Sequence, residues 1–128
     1  MQVLKFGGTS VSDAANMSKV VEIVSAAMKN DRTILVLSAI SKCTDTLINI
    51  GTLASEGDES YVALIDDLQK RHNGIIEEFL PRESRKQVTK ECDEIFSHLR
   101  GIAQGVRLLG ELSTVSLDAI QGCGELLS

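Results

Sequence analysis

Lys5, Gly7, Gly8, Thr9 and Ser10 stand together in the run KFGGTS, and residues of these types in this order suit the holding of an oxyanion such as phosphate. Glycines let backbone N–H groups approach a ligand with no Cβ in the way, two hydroxyls add donors, and Lys5 supplies a full positive charge. A helix following the loop would aim its positive end at the same spot. The run lacks the G-K-[ST] ending of a Walker A loop, and an ordinary tight turn accounts for GGTS equally well. A second group of polar residues, Ser38, Ser41, Thr44 and Asp45, lies in LSAISKCTD and has enough hydrogen-bonding capacity to grip a small polar molecule. Thr44 serves equally as the N-cap of the next helix, the commoner role for such a hydroxyl, and Lys42 reads equally as a solvated loop lysine. A third candidate is Glu125, just past two glycines and before two leucines in GCGELLS. That spacing predicts a carboxylate at a helix start, either as a cap or as a ligand for a substrate ammonium.

Other side chains fit chemistry less well. His72 falls on an apolar helical stripe and His98 beside one, where packing or surface roles fit better than catalysis. Cys43, Cys92 and Cys123 are an odd set without a C-x-x-C pair, which argues against both a disulfide framework and a zinc site and predicts three reduced thiols.

The elements that must position these residues follow from periodicity. Residues 2 to 6 and 33 to 38 are short, rich in Val, Leu and Ile, and followed by Gly/Ser-containing loops, which predicts buried parallel strands. Between them Met17, Val20, Val21 and Val24 recur at helical spacing, with Ser12 or Asp13 as the cap. Strand, helix, strand opens an α/β fold whose ligands sit beyond the carboxyl ends of the strands, where both candidate loops fall. From residue 44 the pattern is helical. A helix over 44–55 carries Leu47, Ile48, Ile50 and Leu53. Two longer stripes follow, one through Tyr61, Ile65, Leu68, His72, Ile75 and Phe79, the other through Val88, Cys92, Ile95, Leu99, Ile102, Val106 and Leu109. Pro81 between them predicts a fresh helix start and an antiparallel hairpin. Gly101, Gly105 and Gly110 weaken the second helix, so that its last turns bend or stop before Glu111. A last helix from about Thr114 presents Val115, Leu117 and Ile120 and yields to QGCGELLS.

The totals limit the alternatives. The chain has 128 residues, 43% of them hydrophobic and 24% charged, enough for one core. Its net charge is −5 and no Lys/Arg block interrupts it, which argues against nucleic acid as a partner. The apolar runs are too short to cross a bilayer and the N-terminus lacks the apolar segment of a signal peptide, so a cytoplasmic location without membrane contact is expected. Two strands beside about five helices are an unusual ratio for a whole α/β domain, which predicts a fragment of a longer protein.

Taken together, KFGGTSV at 5–11, VLSAISKCTDTLI at 36–48 and GELLS at 124–128 resemble the three N-terminal signatures of aspartokinases, in the same order and at similar separations. The likeness covers the chain end to end. The intervening FSHLRGIAQGVRLLGELS is also similar to the enzymes that fuse aspartokinase to homoserine dehydrogenase. The resemblance implies a three-layer αβα amino-acid kinase (carbamate kinase-like) domain, with residues 1–128 as its incomplete, N-terminal, aspartate-binding part. It implies transfer of the γ-phosphoryl group of ATP to the side-chain carboxylate of L-aspartate, the first step towards lysine, threonine, methionine and isoleucine. By the same resemblance Lys5 contacts the transferring phosphoryl group, Gly7, Gly8 and Thr9 line the phosphate path, and Ser38, Thr44 and Glu125 hold aspartate, with Glu125 on its ammonium. Mg²⁺ is expected with ATP, without a protein ligand in this segment, and the parent protein is expected to be a homo-oligomer. Leu126 stands where the family commonly has a basic residue, and Cys123 at a variable position. The family's nucleotide-base pocket, further aspartate contacts and regulatory domains are expected beyond residue 128, which makes the isolated chain an inactive binding or assembly lobe.

Overall fold

In the computed structural model, which describes residues 1–128, two parallel strands lie at one side of a helical body. β1 (Gln2–Phe6) pairs with β2 (Thr33–Leu37) from Gln2 opposite Thr33 to Phe6 opposite Leu37. The crossover between them is α1 (Ala14–Met28). Asp13, one of the two expected caps, is the cap: its extended backbone lets the carboxylate accept from the Asn16 N–H at 2.8 Å. A single 3-10 turn, Gly8–Val11, separates β1 from α1.

Four further helices follow: α2 (Cys43–Ser55), α3 (Tyr61–Phe79), α4 (Arg82–Leu109) and α5 (Thr114–Leu127). The expected antiparallel hairpin is α3 against α4, with Asp66 and Gln69 of one meeting Arg100 of the other while Gln69 also reaches Asp93. Exposed pairs of this kind contribute little. The hairpin is held by Ile65, Leu68 and His72 packed against Phe96, Leu99 and Ala103, all buried. The buried stripes differ slightly from the expected ones: Ile76 replaces Ile75 on α3, Phe96 and Ala103 enter on α4, and Leu109 is exposed. A longer apolar arc than the simple three-and-four alternation is needed because α4 contacts α2 and α5 as well as α3. Gly101 and Gly105 leave α4 unbroken; it ends at Gly110, whose φ of +68° only glycine adopts cheaply.

The core is therefore helical, centred on Leu47, Ile50, Ile65, Phe96, Leu99 and Ile120. The expectation of buried strands is corrected: Val3 is 59% exposed, Ile34 46% and Val36 42%. The reason is that α1 is the helix that packs on the sheet, against one face, which leaves Val3, Lys5, Ile34 and Val36 on the other face uncovered; α1 covers its own face only in part, since Leu35 there is 42% exposed. No helix is long and apolar enough to cross a membrane.

Candidate functional site

Both loops at the carboxyl ends of the strands lie side by side. The Ser38 N–H donates to the Phe6 carbonyl at 3.1 Å, extending the ladder one step beyond the strands, and the Ser41 N–H donates to the Gly8 carbonyl at 3.2 Å. Gly8 explains itself sterically. A Cβ there would stand 3.0 Å from the Ala39 carbonyl oxygen and 3.4 Å from the Ser41 backbone, so only glycine lets the loops approach this closely. Gly7 differs. Its φ of −77° and ψ of 174° suit any residue, and a Cβ would meet nothing within 4 Å. Neither backbone nor packing demands glycine at position 7, and the space beside it is open. Thr9 is exposed in the 3-10 turn, and Lys5 is exposed one residue before the end of β1, its ammonium making no hydrogen bond or ion pair to another protein group.

The second loop delivers α2. Thr44 is not its N-cap, contrary to the alternative offered by the sequence. Cys43 opens the helix and Lys42 holds the cap position in a left-handed conformation, φ +66°, with no side-chain cap. Thr44 lies in the first turn with an exposed side chain, and neither its N–H nor that of Asp45 bonds back to the loop carbonyls before it. Two hydroxyl-adjacent donors at a helix N-terminus, uncapped, are suited to a carboxylate. Ser38 is half-buried between the strand end and this turn.

Glu125 needs a correction. It stands in the last turn of α5, not at a helix start, where a carboxylate gains nothing from the helix dipole. The sequence ends the last helix at QGCGELLS, yet α5 runs on through Gly122 and Gly124 to Leu127. Gly124 is glycine because α5 presses on the second loop: a Cβ would lie 3.1 Å from Ala39 Cβ, 3.1 Å from Leu47 Cδ1 and 3.5 Å from Cys43 Sγ. The adjacent Glu125 side chain is exposed. Its carboxylate lies near enough to Cys43 to help raise that thiol, which burial pushes up to about 11 against the opposing pull of the Arg71 guanidinium. A thiol so buried and so weakly acidic is packing, not a nucleophile.

The fold thus gathers the KFGGTS loop, the SAISKC loop and the GEL turn of α5 around residues 39 to 43. Residues 1–126 match the Amino acid kinase family. The chain belongs to the amino acid kinase family. Among similar proteins are the chloroplastic bifunctional aspartokinase/homoserine dehydrogenase 1 of Zea mays, 29% identical over 98% of this chain and 14% of its own length. The aspartokinase of Candida albicans is 31% identical over 98% of this chain and 24% of its own. E. coli aspartokinase III, in complex with lysine and aspartate, superposes with a TM-score of 0.81 at 26% identity over 99% of this chain and 26% of its own; its complex with aspartate and ADP gives 0.77. The chain spans about a seventh to a quarter of the lengths of these relatives. The α/β class read from the sequence is that of the amino acid kinase fold.

In this amino acid kinase segment the histidines follow the packing expectation. His72 is 2% exposed, its ring edge-on to Phe96 with centroids 5.5 Å apart, and Nδ1 bonds the Leu68 carbonyl at 2.8 Å. Burial holds its pKa below the ordinary histidine value. His98 is exposed. No three carboxylate, imidazole or thiol groups gather as a metal site. Sequence reasoning missed Arg71. From α3 it donates to the Ser41 carbonyl at 2.6 Å and the Ser12 carbonyl at 3.3 Å, partners 30 and 59 residues away. A basic residue within QKRHN carries no signal of so distant an acceptor.

Proposed function

We propose that the protein carrying this chain is an aspartokinase and that residues 1–128 form the N-terminal, aspartate-binding and phosphate-cradling part of its kinase domain. An aspartate carboxylate has a solution pKa of about 3.9 and is ionised at neutral pH, so the nucleophile needs no general base. A carboxylate oxygen attacks the γ-phosphorus of ATP, the bond from that phosphorus to the β-bridging oxygen breaks, and ADP leaves with the electron pair. The product is the acyl phosphate 4-phospho-L-aspartate. The remaining task is to bring two anions together, which fixed cations and N–H dipoles accomplish. In this reading Lys5 neutralises the transferring phosphoryl group, and Gly7 and Thr9 border the phosphate with Gly8 holding the loop. Ser38, Thr44 and the first turn of α2 take the acceptor, and Glu125 takes its ammonium. Mg²⁺ enters only as the companion of ATP, without a ligand from these residues, and no step is assigned to it.

The convergence of the three signature segments on residues 39 to 43 carries this reading, with support from the aspartate- and ADP-bound forms of the E. coli relative. We extend the proposal to a cytoplasmic enzyme of amino-acid biosynthesis leading to lysine, threonine, methionine and isoleucine, working as a homo-oligomer with neither nucleic acid nor membrane as partner. The isolated 128 residues are proposed to be inactive, since the sheet face that bears Lys5 is uncovered. The full-length protein given ATP, Mg²⁺ and hydroxylamine should release ADP and form aspartyl hydroxamate with L-aspartate and not with L-glutamate. Lys5→Ala should lower that turnover by about 10² or more. Absence of hydroxamate from the wild-type protein would overturn the reading, and a Lys5→Ala rate near wild type would remove Lys5 from it.

A further inference from the structure

We propose that Arg71 is a positioning residue that sets the gap between the phosphate-side loop and the acceptor-side loop, an inference that rests on the aspartokinase reading for its catalytic consequence. Its guanidinium spans the carbonyls of Ser12, where the 3-10 turn hands over to α1, and Ser41, in the loop that leads to α2. The three ion pairs of the protein involve other residues, so Arg71 has no carboxylate partner and spends its charge on these two carbonyls. A planar fork with several fixed donors is suited to bridging two acceptors in this way, whereas an ammonium is a point charge.

The bridge supplements a direct tie between the same loops. The Ser41 N–H donates to the Gly8 carbonyl at 3.2 Å, where the loops run close enough that a Cβ on Gly8 would stand 3.0 Å from the Ala39 carbonyl oxygen, and the two ties together close a ring. Arg71 limits the separation of the loops. The ring joins the loop assigned to phosphate with the loop assigned to the acceptor, so the quantity it controls is the distance between the two reactants. Each loop keeps its own binding groups without Arg71. Loss of the bridge should then spare ground-state binding and damage alignment, which is worth about a hundredfold in rate for a displacement near 1 Å.

In the full-length protein Arg71→Ala should lower kcat about tenfold to a hundredfold while the KM values for ATP and aspartate each stay within about threefold. Added ethylguanidinium should restore part of the rate, and Arg71→Lys should fall between Ala and wild type. A kcat within threefold of wild type, or a loss residing in KM alone, overturns the proposal. Amide hydrogen exchange of the same proteins gives a readout independent of turnover: residues 7–12 and 38–42 should exchange faster together in Arg71→Ala, with α4 unchanged. Unaltered exchange in either loop refutes the bridge, whatever the assay shows. A wild-type protein without aspartate-dependent turnover refutes the aspartokinase reading instead, and exchange still decides the bridge.

Discussion

Replacing Gly7 and Gly8 one at a time by alanine separates a glycine kept for packing from one kept for a ligand. At position 8 the new Cβ would sit 3.0 Å from the Ala39 carbonyl oxygen, a backbone atom that no rotamer change can move, and 3.4 Å from Ser41 N and Cα. The loops must part by a few tenths of an ångström and stretch the 3.2 Å bond from Ser41 to Gly8. Overpacking of this kind costs about 1–3 kcal/mol, and the lower entropy of the unfolded alanine chain returns about 0.4–1 kcal/mol. At position 7 only the second effect operates, because φ is −77° and the Cβ meets nothing. Gly7→Ala should therefore be the more stable variant, by about 1–3 kcal/mol over Gly8→Ala. With a urea slope of about 1–3 kcal/mol/M that difference separates the unfolding midpoints by roughly 1 M. Circular dichroism during urea titration measures it, and the hydroxamate assay on the same samples completes the test. The more stable Gly7→Ala should be the less active than wild type, since its methyl enters the space assigned to phosphate. A Gly8→Ala protein at least as stable as Gly7→Ala would refute the packing argument, and a fully active Gly7→Ala the ligand argument.

Glu125→Gln should raise the KM for aspartate about tenfold, the worth of a charge-assisted contact, with less change for ATP; equal effects in steady-state kinetics would count against its ammonium role. Lys42→Gly should raise stability by up to about 1 kcal/mol by relieving a left-handed backbone at φ +66°, whereas Lys42→Val should lower it; thermal melts decide, and a less stable glycine variant would contradict this. His72 has a folded pKa below its unfolded value near 6.5, so the unfolded chain binds more protons between the two. Its contribution is present above pH 6.5 and lost as the pH falls from there through the folded value. The slope of stability against pH over that window should flatten in His72→Leu, as measured by urea titrations at several pH values, and an unchanged slope would exclude His72 as its source.

Much of the fold was legible because local chemistry and tertiary packing agree. Asp13 and Pro81 mark helix starts through φ and hydrogen bonding with near neighbours, and the α3 and α4 stripes mark a hairpin because each must bury an arc. Where the reading failed, a distant contact had overruled a local preference. The last helix reads as yielding to QGCGELLS, yet α5 continues to Leu127, with Gly124 set where a Cβ would crowd Ala39 and Leu47. Thr44 reads as a cap, yet the cap position falls two residues earlier, on a left-handed Lys42. The strands read as buried from their apolar content, but content says nothing of which faces neighbours cover.

What the sequence alone determined is the set of chemical groups: a lysine, two glycines and hydroxyls after one strand, hydroxyls after the other, and a carboxylate in GELLS. Those assignments depend on residues within a few positions of one another. Only the tertiary structure decided that Gly8 lies where a Cβ would crowd the Ala39 carbonyl, that Gly124 lies where one would crowd Ala39 and Leu47, and that Arg71 ties Ser12 to Ser41. Each of these is an encounter between segments far apart in the chain, and its specificity arises from close approach in three dimensions, which no local spacing of residues encodes.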